Sequence, residues 1–195
     1  MTETLKKYAQ SFNIPFTEAD LLLIDTYFEP QSVKRNDMIL SDGKICRFIA
    51  FIVSGSVRHF HIRDGEEKTC EMSFENQFIT DFRSFTYDIA SIMNLQALED
   101  TNILIIRKEK LFELYQKCPK YETFGRLIAE QIALRATDIA MSLSSDKPEV
   151  RFKNLLEKEP ALFQRVQQKY IANFLGISPE SLSRIRNRIF QKHKT

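Results

Sequence analysis

Cysteine is scarce in this chain, and the little there is forms no motif. Cys46, Cys70 and Cys118 are an odd number at wide spacings, with no Cys-x-x-Cys pair and no Cys/His ligand pattern. That argues against a disulfide framework, and an iron–sulfur cluster would need four suitable ligands. Three ordinary, mostly buried thiols are expected instead. Long apolar runs are missing too: the longest, Phe48–Val53, is far too short to cross a bilayer. The first ten residues, MTETLKKYAQ, lack the apolar centre of a signal peptide. A soluble, cytoplasmic protein with no membrane partner is expected. No GxSxG, phosphate-binding Walker loop or HExxH occurs, so no enzyme is expected. There is no internal repeat and no low-complexity segment.

Apolar residues make up 43% of the 195 residues, a composition that folds. The length allows one large domain or two small ones. The net charge of +2 conceals an asymmetry. Residues 146–195 carry eleven Lys/Arg against five Asp/Glu, while residues 1–145 carry seventeen against twenty-one. A basic end on an acidic body points to a polyanion met by the C-terminal part alone.

The patterning divides the chain. Thr17-Glu-Ala-Asp20 reads as a capping box, followed by Leu21, Leu22, Ile24, Tyr27 and Phe28 at helical spacing. From about Ser32 to Ile106, β-branched and aromatic runs alternate with turn signals. Phe48–Val53, Val57–Ile62, Thr69–Phe74 and Ile103–Ile106 read as strands of a sandwich or barrel of the jelly-roll kind. From about Lys108 the pattern is helical again, with a long helix over Tyr121–Leu143. Leu127, Leu134 and Met141 recur every seven residues, with Phe124, Ile128, Ile132 and Ile139 beside them. Such a stripe suits a core or a two-chain seam. The seam is favoured, because a β-barrel needs no helix of that length to close it. Phe124, Leu127, Ile128, Gln131, Leu134 and Met141 are the candidate dimer contacts. Ser144–Pro148 is the clearest break, giving units 1–115, 116–145 and 146–195.

The stretch Gln167–Ile189 carries the sharpest signal. Gly176 serves as a turn, and Ala172 lies four residues earlier, where crossing helices must approach closely. Ile171, Leu175, Ile177, Leu182 and Ile185 point inward. Ser178 is a good N-cap, and Pro179 suits the first helical position. This is the pattern of a helix-turn-helix. The second helix exposes Glu180, Ser183, Arg184, Asn187 and Arg188. Arg can donate two bonds to guanine and Glu can accept from cytosine, and Glu180 and Arg184, four apart, share a face. Ser181, Ser183 and the helix-start amides can hold phosphates. Lys169, Arg186, Arg188 and Lys192 add charge for the backbone. The candidate DNA-binding set is Gln168, Lys169, Ser178, Pro179, Glu180, Ser181, Ser183, Arg184, Asn187 and Arg188.

RNDMILSDGK, FIVSGSVRHF, QALEDTNILII and IANFLGISPESLSRIRNRI occur here in the order and spacing of a known family. Over nearly its whole length the chain resembles the Crp/Fnr transcription regulators (cyclic-AMP receptor protein/fumarate–nitrate regulator). The resemblance implies an α+β chain: a cyclic-nucleotide-binding-type β jelly roll, a long dimerisation helix and a C-terminal helix-turn-helix domain. It implies a homodimer on double-stranded DNA, with RNA polymerase as a further partner and base contacts from Glu180 and Arg184. The family's small β-hairpin wing after the second helix is expected to be missing, since Thr195 follows within a few residues.

Cyclic-nucleotide binders of this kind hold the ribose with a Gly-Glu pair and, about ten residues later, the phosphate with Arg-Ser/Thr-Ala. The corresponding pieces here are Thr80-Asp81 and Ser91-Ile92-Met93. Ser91 cannot replace a guanidinium, and Arg83 is out of register. Cyclic AMP is therefore not expected as the controlling ligand, and no cofactor is expected. Phe74, Phe78, Phe82, Phe85 and Tyr87 either seal the vacant pocket or admit an apolar effector of unknown identity. The candidate effector residues are Phe78, Thr80, Asp81, Phe82, Arg83, Phe85 and Ser91. His59 and His61, on one strand face with Glu66 following, raise a rival reading as a cupin-like metal enzyme. Two surface histidines are the preferred reading, because the other histidine, His193, sits in the basic tail. A second rival is a degenerate regulator acting as a protein-interaction module.

Overall fold

The structure is a computed structural model that describes residues 1–192. Two helices, α1 (Thr2–Gln10) and α2 (Glu18–Tyr27), lead into eight strands: β1 (Glu29–Val33), β2 (Met38–Leu40), β3 (Phe48–Ser54), β4 (Val57–Arg63), β5 (Glu66–Ser73), β6 (Phe78–Ile79), β7 (Asn94–Ala97) and β8 (Thr101–Arg107). The short helix α3 (Phe82–Tyr87) interrupts them between β6 and β7. Then follow α4 (Lys108–Lys117), α5 (Lys120–Ser145), α6 (Pro148–Lys158), α7 (Leu162–Arg165), α8 (Gln168–Phe174) and α9 (Pro179–Lys192). The expected capping box is present: Asp20 Oδ2 accepts from the Thr17 amide at 2.7 Å, and Thr17 Oγ1 accepts from the Asp20 amide at 3.2 Å.

The strands form two four-stranded antiparallel sheets, ordered β1-β8-β3-β6 and β2-β7-β4-β5. Alternation along β3 explains the layering. Ala50 and Ile52 point between the sheets, with Val57, Leu95, Ala97 and Ile103. Phe51 points the other way, onto helices α1, α2, α4 and α5, with Leu104 and Ile106 from β8 beside it. A third core joins Met72, Phe74 and Leu98 from the β-sandwich to Phe152, Leu162, Ile171 and Leu182 of the C-terminal helices. The C-terminal unit is thus packed on the sandwich, on the side of the second sheet.

Helix α5 is buried along its first half and open along its second. Phe124 and Ile128, read from the sequence as part of a two-chain seam, lie 5% and 7% exposed in the chain's own core. The Phe124 ring stands edge-on to Phe12 at 5.0 Å between centroids. The reason is the outer face of the first sheet, which needs a helix to cover its apolar side chains. Leu127 is half-buried, Gln131 accepts the Tyr8 hydroxyl at 3.0 Å, and Leu134 and Met141 are 66% and 63% exposed. The open part of the seven-residue stripe therefore lies in the second half of α5.

Candidate nucleic-acid interface

Helices α8 and α9 meet at a turn that local chemistry dictates. Gly176 takes φ +67°, a left-handed conformation that ends α8 at little steric cost. Its amide donates to Asn173 O at 3.1 Å, and the Ile177 amide donates to Ala172 O at 3.0 Å. Ser178 Oγ then accepts from the Ser181 amide at 3.2 Å, capping α9, and Pro179 follows as its first residue. Arg151 on α6 clamps the turn: Nη2 donates to Leu175 O at 2.7 Å and Nη1 to Asp146 O at 2.6 Å. Ile171, Ala172, Leu175, Leu182 and Ile189 are buried behind it, and Ile177 and Ile185 pack alongside.

On the other side of α9, Glu180, Ser183, Arg184, Asn187 and Arg188 are exposed. Ser181 is half-buried, and its hydroxyl accepts from Arg184 Nη2 at 3.2 Å. The Glu180 carboxyl is held below its usual range, chiefly by the backbone amide and by Ser178. Gln168 and Lys169 are exposed at the start of α8, with Lys169 Nζ 4.7 Å from the Tyr170 ring centre. Arg188 is not free: its Nη1 lies 3.1 Å from Glu149 Oε2 on α6. Arg186 leans on the Phe163 ring at 5.4 Å, away from the Glu180/Arg184 face. Lys192 ends the described helix, while His193 and the expected missing wing lie outside the described residues.

Sequence reasoning missed how this unit is held. Arg58 on β4 is 2% exposed, with its guanidinium between the rings of Phe60 (3.9 Å) and Tyr170 (4.0 Å). It also donates to Gln96 Oε1 at 2.8 Å and pairs with Glu67 at 2.7 Å. Asn173 on α8 engages the edge strand β5 as another strand would: its Oδ1 accepts from the Thr69 amide, and its Nδ2 donates to Glu67 O at 2.9 Å. Arg165 spans Glu75 (2.6 Å) and Glu99 (2.8 Å). Burial pushes the Glu75 carboxyl up, but the Arg165 hydrogen bonds and nearby amides outweigh it and hold the carboxyl low.

The candidate effector residues fall into two groups. Asp81 Oδ1 caps α3 through the Arg83 and Ser84 amides, and Asp81 Oδ2 accepts the Ser91 hydroxyl at 2.6 Å. Ser91 is 2% exposed and its Oγ also accepts from the Met93 amide at 2.9 Å. Arg83 is exposed. Phe78, Thr80, Phe82 and Phe85 instead line a groove against α4 and α5. Deeper in the sandwich, His59 shares a hydrogen bond with Ser73 Oγ at 3.1 Å, and Glu71 pairs with Arg135 of α5. His59 is 7% exposed, not a surface residue, and burial pushes its pKa down against the raising influence of Glu71. His61 Nδ1 lies 3.2 Å from Cys70 Sγ, and Glu66 pairs with Lys68 at 2.5 Å. Among the described residues no group of three or more His, Cys, Asp or Glu is placed to hold a metal.

The β-sandwich with its inserted helix is where a family model applies. Residues 30–118 match the cyclic nucleotide-binding domain. No curated protein matches the sequence. Among solved structures, FixK2 of Bradyrhizobium japonicum is similar at a TM-score of 0.73 and 15% identity, over 85% of this chain and 86% of that one. The c-di-GMP-responsive global regulator CLP of Xanthomonas campestris gives 0.71 and 19%, over 91% and 93%. A protein of Eubacterium rectale assigned to the Crp/Fnr family of transcriptional regulators gives 0.65 and 20%, over 91% and 85%. The coverage extends well past the cyclic nucleotide-binding domain into the long helix and the C-terminal helices, so the chain has the Crp/Fnr fold over most of its length. No helix among the described residues is long and apolar enough to cross a membrane.

Proposed function

We propose that this chain is a DNA-binding transcription regulator of the Crp/Fnr type, working as a cytoplasmic homodimer on a palindromic site without control by cyclic AMP. The observation that carries the reading is the α8–α9 unit. Its apolar side is fully packed, its turn is clamped by Arg151, and Glu180 and Arg184 are left exposed on one face. A Glu and an Arg so placed can read a cytosine and a guanine from the major groove. Gln168, Lys169, Ser178, Ser181, Ser183 and Asn187 supply phosphate contacts around them, and the exposed Leu134/Met141 side of α5 joins two chains. Two such heads about one helical turn apart match a two-fold symmetric operator. RNA polymerase is the further partner expected of a regulator of this type.

Control without cyclic AMP is supported by the state of the cassette. The cyclic phosphate would meet Ser91 in place of a guanidinium, and that hydroxyl is already given to the Asp81 carboxylate. Arg135, whose charge acts on His59, is already paired with Glu71. Selection of random duplex DNA by the purified protein, without added ligand at moderate salt, tests the proposal. A palindrome with fixed half-site spacing is the expected result. Recovery of no preferred sequence under any effector would sink it.

A further inference from the structure

A groove of about 280 Å³ lies outside the sandwich, between α3, α4 and α5. Its floor is Phe78 and Ile106, and its walls are Phe85, Leu111, Phe124 and Ile128. At the rim, Phe82 and Phe112 remain 45% and 49% exposed, two aromatic rings that the fold alone does not bury. One polar group inside lacks a partner. The Tyr115 hydroxyl lies against the backbone of α5 where Gly125 leaves room; a Cβ there would sit 2.1 Å from it. Glycine is a poor choice inside a helix, so the close approach accounts for its presence. Among the described residues the Tyr115 hydroxyl meets no hydrogen-bond partner, and burial pushes its pKa up to about 12. The rim cation Arg126 is paired with Glu130 on the next turn.

We propose that this groove binds an uncharged, largely apolar molecule of two or three rings carrying one hydrogen-bond acceptor for the Tyr115 hydroxyl. The lining holds two charged side chains, Arg126, already paired with Glu130, and Glu122, exposed at the rim, so the apolar interior itself offers no ion to pair with a buried charge and favours an uncharged ligand. Apolar lining with a single placed polar group is what a small-molecule site requires. The site is separate from the Asp81/Ser91 cassette. Occupancy would press on the face of α5 that carries Phe124 and Ile128, and through α5 on the seam and the reading heads. That consequence rests on the regulator reading above; the binding itself does not.

The full chain is titrated with N-phenyl-1-naphthylamine, an uncharged fluorophore, and the bound probe is then displaced by naphthalene or by 2-acetylnaphthalene. Saturable binding is expected, with the ketone displacing more effectively than the hydrocarbon. Ala129→Phe, which fills the groove, should weaken probe binding at least ten-fold with an unchanged circular dichroism spectrum. Tyr115→Phe should weaken the ketone about five- to ten-fold and leave naphthalene unchanged, a split that decides the matter even if Ala129→Phe does not fold. Absence of saturable binding, full binding by a folded Ala129→Phe, or equal effects of Tyr115→Phe on both displacers overturns the proposal. None of these readouts uses DNA, so failure here is distinct from failure of the DNA selection.

Discussion

Ser91 donates its hydroxyl to Asp81 across 2.6 Å, joining the two ends of the segment that in a cyclic-nucleotide binder would embrace the ligand. The same carboxylate caps α3, and the same hydroxyl accepts the Met93 amide. The segment is held closed by its own side chains, with a neutral serine where the phosphate would need a guanidinium. Ser91→Ala should destabilise the protein by about 1–3 kcal/mol, since it leaves a carboxylate oxygen and a half-buried amide each short of a partner. Urea denaturation measures this. Calorimetric titration of the wild-type protein with cyclic AMP should show no binding.

On the reading helix, Arg184→Ala should relax discrimination at one base pair by about 1–3 kcal/mol and leave the other positions of the site unaffected. Lys169→Ala should weaken binding evenly across sequences and reduce the slope of log affinity against log salt by about one. Arg188→Ala should perturb binding less than Arg184→Ala, because its guanidinium already serves Glu149. Competition binding against single-base variants of the selected site separates the three.

Signals confined to a few residues were legible in the sequence. Gly176, Ser178 and Pro179 each constrain the backbone locally, and their consequences appear within one turn of helix. Strands β3 and β8 were legible through their β-branched runs, and β4 and β5 through mixed β-branched and aromatic residues set between turn signals. Strands β1 and β7 were not: β1 is a mostly exposed edge strand, and β7 buries Asn94 and Gln96. Those two polar residues are tolerated because each meets a distant partner, the Asp42 amide and Arg58. The docking of the C-terminal unit was illegible for a related reason. Asn173 meets its strand partners 104 and 106 positions away, and no local pattern records a pairing over that separation.

His59 gives the stability a sign with pH. Burial lowers its pKa in the folded protein, Glu71 and Asp81 work to raise it, and Arg135 works to lower it. The unfolded chain therefore binds a proton first as pH falls. Stability should be complete above about pH 6.5, the ordinary histidine value, and decline as pH drops below it. His59→Gln should flatten that decline in denaturant titrations between pH 7.5 and 5.5. An unchanged slope would place the titrating group elsewhere.

The core contact of α5 and its proposed seam can be separated by mutation. Leu134→Glu places a charge at an open position and should give a folded monomer, read by sedimentation, with DNA affinity reduced accordingly. Phe124→Ala, nearly three turns away, removes a core ring and should destabilise by about 3–5 kcal/mol. The monomer variant should keep the wild-type circular dichroism spectrum, whereas the core variant should lose thermal stability first.

The clasp between α8 and β5 makes the last prediction. Asn173 occupies backbone groups that an edge strand would otherwise offer to solvent, and the Arg165 contacts to Glu75 and Glu99 fix the same unit farther along the sheet. Asn173→Ala should speed hydrogen exchange at the Thr69 amide at least ten-fold while leaving the exchange of β3 and β8 unchanged. Combined with Arg165→Ala, it should loosen the C-terminal helices on the sandwich, which the shared apolar core and the Arg58–Tyr170 stack still hold, and alter DNA affinity uniformly, because neither side chain belongs to the Glu180/Arg184 face. A change in base preference at one position would instead place Asn173 or Arg165 on the DNA, and the clasp would then have to be regarded as a rest position that DNA displaces.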